Sequence, residues 1–203
     1  MQIRSFIALP LPEETAIKFF EVADTFCNIE HFQQIRWLPP ENCHLTLAFL
    51  GDVEEMRLER LARNLSQSLA DKPGGTLRFS EISPFPFNAR PRVIAALAEA
   101  TDWLKNLQSS CVKAARKSGI ELDRRRFVPH VTLARMNVRK RNTSGLPPLF
   151  FETQITFKKV VLYESILHPE GAEYHMMEPF ALKKARTFNP NVENSGRSES
   201  RMR

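Results

Sequence analysis

The sequence predicts an α+β protein of two similar lobes, each an antiparallel sheet with helices on the outer face, with an active-site groove between them. Three observations predict it. His44-Leu45-Thr46-Leu47-Ala48 and His130-Val131-Thr132-Leu133-Ala134 repeat one pattern, His-apolar-Thr-apolar-Ala. Three longer stretches space their apolar residues at helical intervals. The other apolar runs are short and bounded by proline, glycine or polar turns, as strands are.

Taken in order, Gln2 to Leu9 reads as a strand ended by Pro10, with Ile3, Phe6 and Ile7 apolar. Pro12-Glu13-Glu14 opens a helix, proline and acids suiting its first turn. Ile17, Phe20, Ala23, Phe26 and Cys27 continue that helix to about Glu30. Ile35 to Leu38 is a short strand stopped by Pro39-Pro40. The first histidine strand follows and ends at Gly51. Asp52 is the expected cap of a second helix, with Glu55 as its capping-box partner and Leu58, Leu61, Leu65 and Leu69 as its buried stripe.

Asp71 to Gly75 is a turn whose two glycines are too few for a phosphate loop. Thr76 to Ile82 and Arg92 to Ala98 are expected to pair as strands. The loop between them carries Phe85 and Phe87, for which burial against the sheet is favoured over stacking on a base. Thr101-Asp102 caps a third helix with Leu104, Leu107, Cys111 and Ala115 inside, terminated by Gly119. Arg124, Arg125 and Arg126 lead into the second histidine strand, close enough for one of them to touch a phosphate. Arg139 to Ser144 is a polar, basic loop. Thr153 to Leu167 reads as one long strand, and Glu173 to Met177 returns antiparallel to it after Pro169-Glu170-Gly171. The folded domain spans 1–184; residues 185–203, polar and without apolar period, form a disordered tail. Counting elements gives two similar halves, each with strands, a helix and one histidine strand.

Composition narrows the class. An apolar share of 42% and a charged share of 26% in 203 residues are those of a soluble folded domain. The net charge of +6 favours an anionic partner, though the same charge also serves solubility. Cys27, Cys43 and Cys111 form neither a metal pattern nor a disulfide framework and read as reduced thiols. Cys43 is adjacent to His44, and adjacent strand residues face opposite ways, which argues against a Cys-His nucleophile. No apolar run approaches a membrane span of about 18 residues. The N-terminus lacks a signal pattern, so the expected location is cytoplasmic.

Residues two apart in a strand share a face. His44 with Thr46, and His130 with Thr132, therefore present imidazole beside hydroxyl, and two such strands together make a polar floor. An imidazole of ordinary pKa near 6.5 serves near neutrality as either acid or base. In-line displacement at phosphorus needs one of each, with hydroxyls donating to the non-bridging oxygens where charge accumulates. Arg135 is the candidate for neutralising that charge. Strict alternation points it away from His130, so a bulge or strand end is required. His31, His168 and His175 lack a threonine partner and are expected at the surface.

At these residues the sequence resembles the two-histidine (2H) phosphoesterases, and most closely their bacterial RNA 2′,3′-cyclic phosphodiesterases, historically called 2′-5′ RNA ligases. The resemblance runs from Ile3 to about Leu182. Arg36-Trp37-Leu38-Pro39-Pro40-Glu41-Asn42-Cys43-His44-Leu45-Thr46-Leu47 with Phe49-Leu50-Gly51 resembles the first family motif. Pro129-His130-Val131-Thr132-Leu133 with Arg135 resembles the second, and Leu162-Tyr163-Glu164-Ser165 followed by Gly171-Ala172-Glu173-Tyr174 the C-terminal strand pair. Ala48 departs from the family, many members carrying arginine there. The resemblance implies hydrolysis of a terminal 2′,3′-cyclic phosphate on RNA to a 2′-phosphate. By the same analogy His44 protonates the leaving 3′-oxygen and His130 activates water, although two nearly symmetrical motifs do not by themselves distinguish acid from base. It implies no cofactor or metal, Thr46, Thr132 and Arg135 as substrate-binding residues, and a monomer acting on RNA ends or oligonucleotides without a membrane. Reversal would join a cyclic phosphate end to a 5′-hydroxyl as a 2′-5′ bond. Two other readings stand beside it: a phosphodiesterase of 2′-5′ oligonucleotides or small cyclic nucleotides, and a non-catalytic RNA-binding protein.

Overall fold

The computed structural model describes residues 1–24, 35–87, 91–122, 126–136, 148–169 and 171–184. Among them the elements run β1 (Gln2–Pro10), α1 (Glu13–Ala23), β2 (Ile35–Trp37), β3 (His44–Glu54), α2 (Glu55–Leu69), β4 (Gly75–Phe85), β5 (Val93–Ala98), α3 (Asp102–Lys117), β6 (His130–Met136), β7 (Leu149–Phe157), β8 (Lys159–His168) and β9 (Gly171–Ala181). The sequence expectations for Phe26, Cys27, His31, Arg124, Arg125, the 139–144 loop and the 185–203 tail lie outside the described residues.

The strands pair antiparallel along one path, β7-β4-β5-β6-β3-β1-β8-β9, with β2 added on β6. Between β6 and β3 the pairing is a single partner pair, Leu45 with Val131. That junction divides the path into two lobes: β3, β1, β8 and β9 on one side, and β6, β5, β4 and β7 with β2 on the other. α2 and α3 pack on each other and over the first lobe; α1 lies on the second. The lobes are not the two halves of the chain. β8 and β9 return from the C-terminal half to flank β1, and α3 packs on β3. Element counting along a chain reads order, whereas strand partnership is long-range, so the interleaving leaves no local mark in the sequence.

β1 is central and buried on both faces, which is why it reads as a near-continuous apolar run. Ile3, Ile7 and Leu9 enter the main core, while Phe6 and Ala8 join Val161 and Tyr163 in a separate cluster. The leucine stripe of α2 is buried as expected, at Leu58, Leu61, Leu65 and Leu69. In α1 the buried residues are Ala16, Phe19 and Ala23, and Ile17 is exposed. Phe19 wedges between Phe79 and Phe151, each ring 5.3 Å away; full burial of such a ring is worth roughly 1.5–3 kcal/mol.

Three boundaries differ from expectation. β3 continues through Gly51, whose φ of +72° bends the strand without ending it, and Asp52 pairs with Arg4 at 3.7 Å instead of capping α2. The cap position of α2 is Glu54, with no side-chain hydrogen bond. The expected long strand from Thr153 to Leu167 is two, β7 and β8, broken at Lys158 and belonging to different lobes. β4 runs on to Phe85, so Ser83, Pro84 and Phe85 are strand residues. Thr101 does cap α3, accepting from the Leu104 N–H at 3.3 Å, and Gly119 ends that helix region at φ +79°.

Candidate active site

Both histidine strands begin with the same local device. Pro39 and Pro40 set a single 3₁₀ turn, Pro40–Asn42, which turns the Asn42 carbonyl towards the first residue of β3. His44 Nδ1 lies 2.8 Å from that carbonyl oxygen. On the other strand His130 Nδ1 lies 2.8 Å from the Val128 carbonyl oxygen. A carbonyl only accepts, so each Nδ1 carries the proton and donates it, leaving each Nε2 as the working atom.

Leu45 pairs antiparallel with Val131, which brings the His44–Thr46 stretch of β3 beside the His130–Thr132 stretch of β6. Directly opposed residues share a face. Leu45 and Val131 are fully buried, and the residues flanking them, His44 and Thr46 on β3 and His130 and Thr132 on β6, are each half-buried on the other face.

Arg135 reaches the groove by a bulge. β5 steps from Ile94 to Ala95 while β6 steps from Ala134 to Thr132, so Leu133 is the extra residue. Leu133 and Ala134 are consequently buried in succession and Arg135 emerges on the side of Thr132, where it lines the groove. β3 has the same irregularity, Ile7 facing Ala48 and Ala8 facing Thr46. Its equivalent of Arg135 is Phe49, and here the cation comes from the neighbouring strand: the Arg4 guanidinium lies 4.8 Å from the Phe49 ring centre.

Each histidine is backed by aromatic rings. His44 stacks on Phe6 at 4.6 Å and meets Tyr174 edge-on at 5.1 Å. His130 lies against Phe85 at 4.4 Å, and Phe87, which is exposed and not buried against the sheet as expected, packs edge-on against Phe85 at 5.5 Å. Phe85 is thus partly buried, but its partner is a site histidine and not only the sheet. Burial pushes the His44 imidazole down to about 4, with smaller contributions in the same direction from the charges of His130 and Arg135, opposed by the Asn42 hydrogen bond. Burial also lowers His130, opposed by the bond to Val128. Burial raises Cys43 to about 12, which keeps it an unreactive thiol.

The groove measures about 520 Å³, a size suited to a small ligand. His44, Thr46, Thr132 and Arg135 line it, together with Arg4 and Arg36, which sequence reasoning did not single out. His130 stands just outside that volume, two residues before Thr132, so the expected floor holding both histidines is only partly one surface. His168, expected as a bystander, lines the groove while remaining exposed, and its Nε2 lies 3.1 Å from Glu173. Among the described residues no Asp or Glu lines this groove, and three arginines do, so its field favours an anion. Among the described residues no group of three or more His, Cys, Asp or Glu side chains is arranged to hold a metal. No described helix is long and apolar enough to cross a membrane.

Arg4 and Phe6 had no local signal of a role, because each meets its partner, Phe49 or His44, on the neighbouring strand β3. Arg36 had none beyond its place before the first motif, because its role follows from pairing opposite Arg135.

The family described as LigT like Phosphoesterase matches residues 9–95 and 96–174. The RNA 2′,3′-cyclic phosphodiesterase of Thermus thermophilus is 33% identical over 193 residues, covering 89% of this chain and 91% of that protein. The RNA 2′,3′-cyclic phosphodiesterase of Methanothermobacter thermautotrophicus is 30% identical over 188 residues, covering 90% of this chain and all 100% of that one. The crystal structure of E. coli LigT complexed with 3′-AMP superposes with a TM-score of 0.73 at 26% identity, over 91% of this chain and 100% of that chain.

Proposed function

The chain belongs to the LigT-like phosphoesterase family, and from that premise we propose that it is an RNA 2′,3′-cyclic phosphodiesterase working by two-histidine acid/base catalysis without a metal. The observation that carries this reading is the matched pair of Nδ1–carbonyl hydrogen bonds, at 2.8 Å on each strand, which leaves both Nε2 atoms free for proton transfer. Water attacks the cyclic phosphorus as His130 Nε2 takes its proton. The P–O3′ bond breaks as protonated His44 Nε2 gives a proton to the leaving 3′-oxygen. The product is a 2′-phosphomonoester with a free 3′-hydroxyl, and the two imidazoles exchange protons with solvent to reset. Thr46 and Thr132 donate to the non-bridging oxygens, and Arg135 neutralises their growing charge.

His44 near 4 in the free protein is a poor reservoir for a proton at neutral pH. An anionic phosphodiester beside it favours the imidazolium and raises it, so binding itself arms the acid. The same floor run backwards joins a cyclic phosphate end to a 5′-hydroxyl without ATP. The folded unit in this reading is 1–184, acting as a monomer.

The test is a short RNA ending in a 2′,3′-cyclic phosphate, incubated in EDTA with wild type, His44→Ala and His130→Ala. Wild type alone is expected to give the 2′-phosphate, each variant losing at least about 10²-fold. Undiminished turnover by either variant, or a metal requirement, defeats the mechanism; tight RNA binding without turnover by wild type favours a non-catalytic role.

A further inference from the structure

The groove does not stop at the histidines. A second basin of about 570 Å³ adjoins the first, and Arg36, Arg135, His168 and Tyr174 line both. Arg36 and Arg135 are direct partners across β2 and β6, so their side chains stand together on the boundary. Beyond it the chemistry changes. Trp37, Glu41, Asn42 and Glu173 line the second basin and not the first, bringing an indole, two carboxylates and an amide where the first basin has only cations and neutral groups. The Trp37 ring is braced edge-on against Phe20 at 5.7 Å, so it is a fixed surface.

A 2′,3′-cyclic phosphate closes the 3′ end of a strand, so the rest of the strand leaves the site through the 5′-phosphate of the terminal nucleoside. The geometry points to the second basin as a subsite for the preceding nucleotide, its linking phosphate held between Arg36 and Arg135; this rests on the cyclic phosphodiesterase reading. A phosphodiester suits paired guanidinium groups. The nucleoside beyond it suits a flat indole for stacking, with Glu41 and Asn42 as acceptors for base amino groups or a 2′-hydroxyl. The substrate class is therefore an oligoribonucleotide of two or more residues, not a lone nucleoside cyclic phosphate.

The experiment compares kcat/KM for a nucleoside 2′,3′-cyclic phosphate and for the dinucleotide with the same terminal base. The dinucleotide is expected to be favoured at least about tenfold, mostly through KM. Its log–log salt dependence is expected to be steeper by about 0.7, for one further neutralised phosphate. Trp37→Ala and Glu41→Ala are expected to shrink the dinucleotide-to-mononucleotide ratio, a ratio taken within one preparation and so insensitive to the fraction folded. Equal efficiency for both substrates in wild type overturns the subsite alone. A dinucleotide preference untouched by both variants overturns its placement. Hydrolysis of neither substrate overturns the parent reading and the subsite with it.

Discussion

The guanidinium of Arg36 rests against the α-carbon of Gly171, reaching from β2 in one lobe to the first residue of β9 in the other. A β-carbon added at Gly171 would stand 3.0 Å from the guanidinium carbon and collide with one of its nitrogens. Gly171 also has φ +148°, a conformation that side chains disfavour. Gly171→Ala is therefore expected to cost about 1–3 kcal/mol of stability and to push the Arg36 tip out of the groove. Thermal melts check the first. For the second, KM for cyclic-phosphate RNA is expected to rise several-fold with kcat nearly kept, and this KM effect is expected to vanish in an Arg36→Ala background.

The two histidines set a pH dependence with a definite sign. The productive free enzyme needs His44 charged and His130 neutral, and burial lowers both, His44 to about 4. The kcat/KM profile, which reports the free enzyme, is expected to peak below 6.5. In the bound state the phosphate raises His44, so the kcat profile is expected to peak at higher pH. Stability carries the same signature. Between about 4 and 6.5 the unfolded chain holds a proton at His44 that the folded chain lacks, so stability falls as pH falls through that window. Melting temperatures of wild type and His44→Ala are expected to converge at the acid end.

Asn64 lies on the buried face of α2 beside the leucine stripe and donates from Nδ2 to Ser118 Oγ at 2.8 Å, while that hydroxyl donates to the Ala114 carbonyl at 2.8 Å. This joins α2 to the end of α3 in the core. Asn64→Ala leaves the serine without its donor and opens a small void, an expected loss of about 1–3 kcal/mol in denaturant unfolding, with kcat and KM unchanged because the residue is remote from the groove.

The His-x-Thr strands were legible because a period of two fixes which side chains share a face, and that holds without knowing any partner strand. Arg135 was legible only as a conflict. Its type suited the site and its parity did not, and the bulge at Leu133 resolves the conflict. Phe6, Arg4 and Arg36 were not legible because nothing local gives them a role. Phe6 reaches His44 through the β1–β3 pairing, and Arg36 reaches the groove through its pairing with Arg135. The split between β7 and β8 was hidden for the same reason: Lys158 breaks no local pattern, yet the strands on either side of it serve different lobes. Local chemistry was readable, and long-range partnership was not.

Phe6 and Phe85 provide a way to tell acid from base, which the matched motifs do not. Each ring covers one histidine, Phe6 at 4.6 Å from His44 and Phe85 at 4.4 Å from His130. Desolvation is the main cause lowering each imidazole, so replacing the ring by a smaller, non-aromatic side chain admits water and raises that histidine towards its ordinary value. Each variant is expected to move the inflection of its own histidine to higher pH; the lower pKa always forms the acid limb, so that movement identifies the histidine and not its role. The role shows in the level on the basic side of both, where the charged fraction of the acid limits kcat/KM and the base is already neutral. With His44 as acid, Phe6→Leu is expected to raise kcat/KM at about pH 8 relative to Phe85→Leu. The reverse order would exchange the two roles, making His44 the base that activates water and His130 the acid at the leaving oxygen.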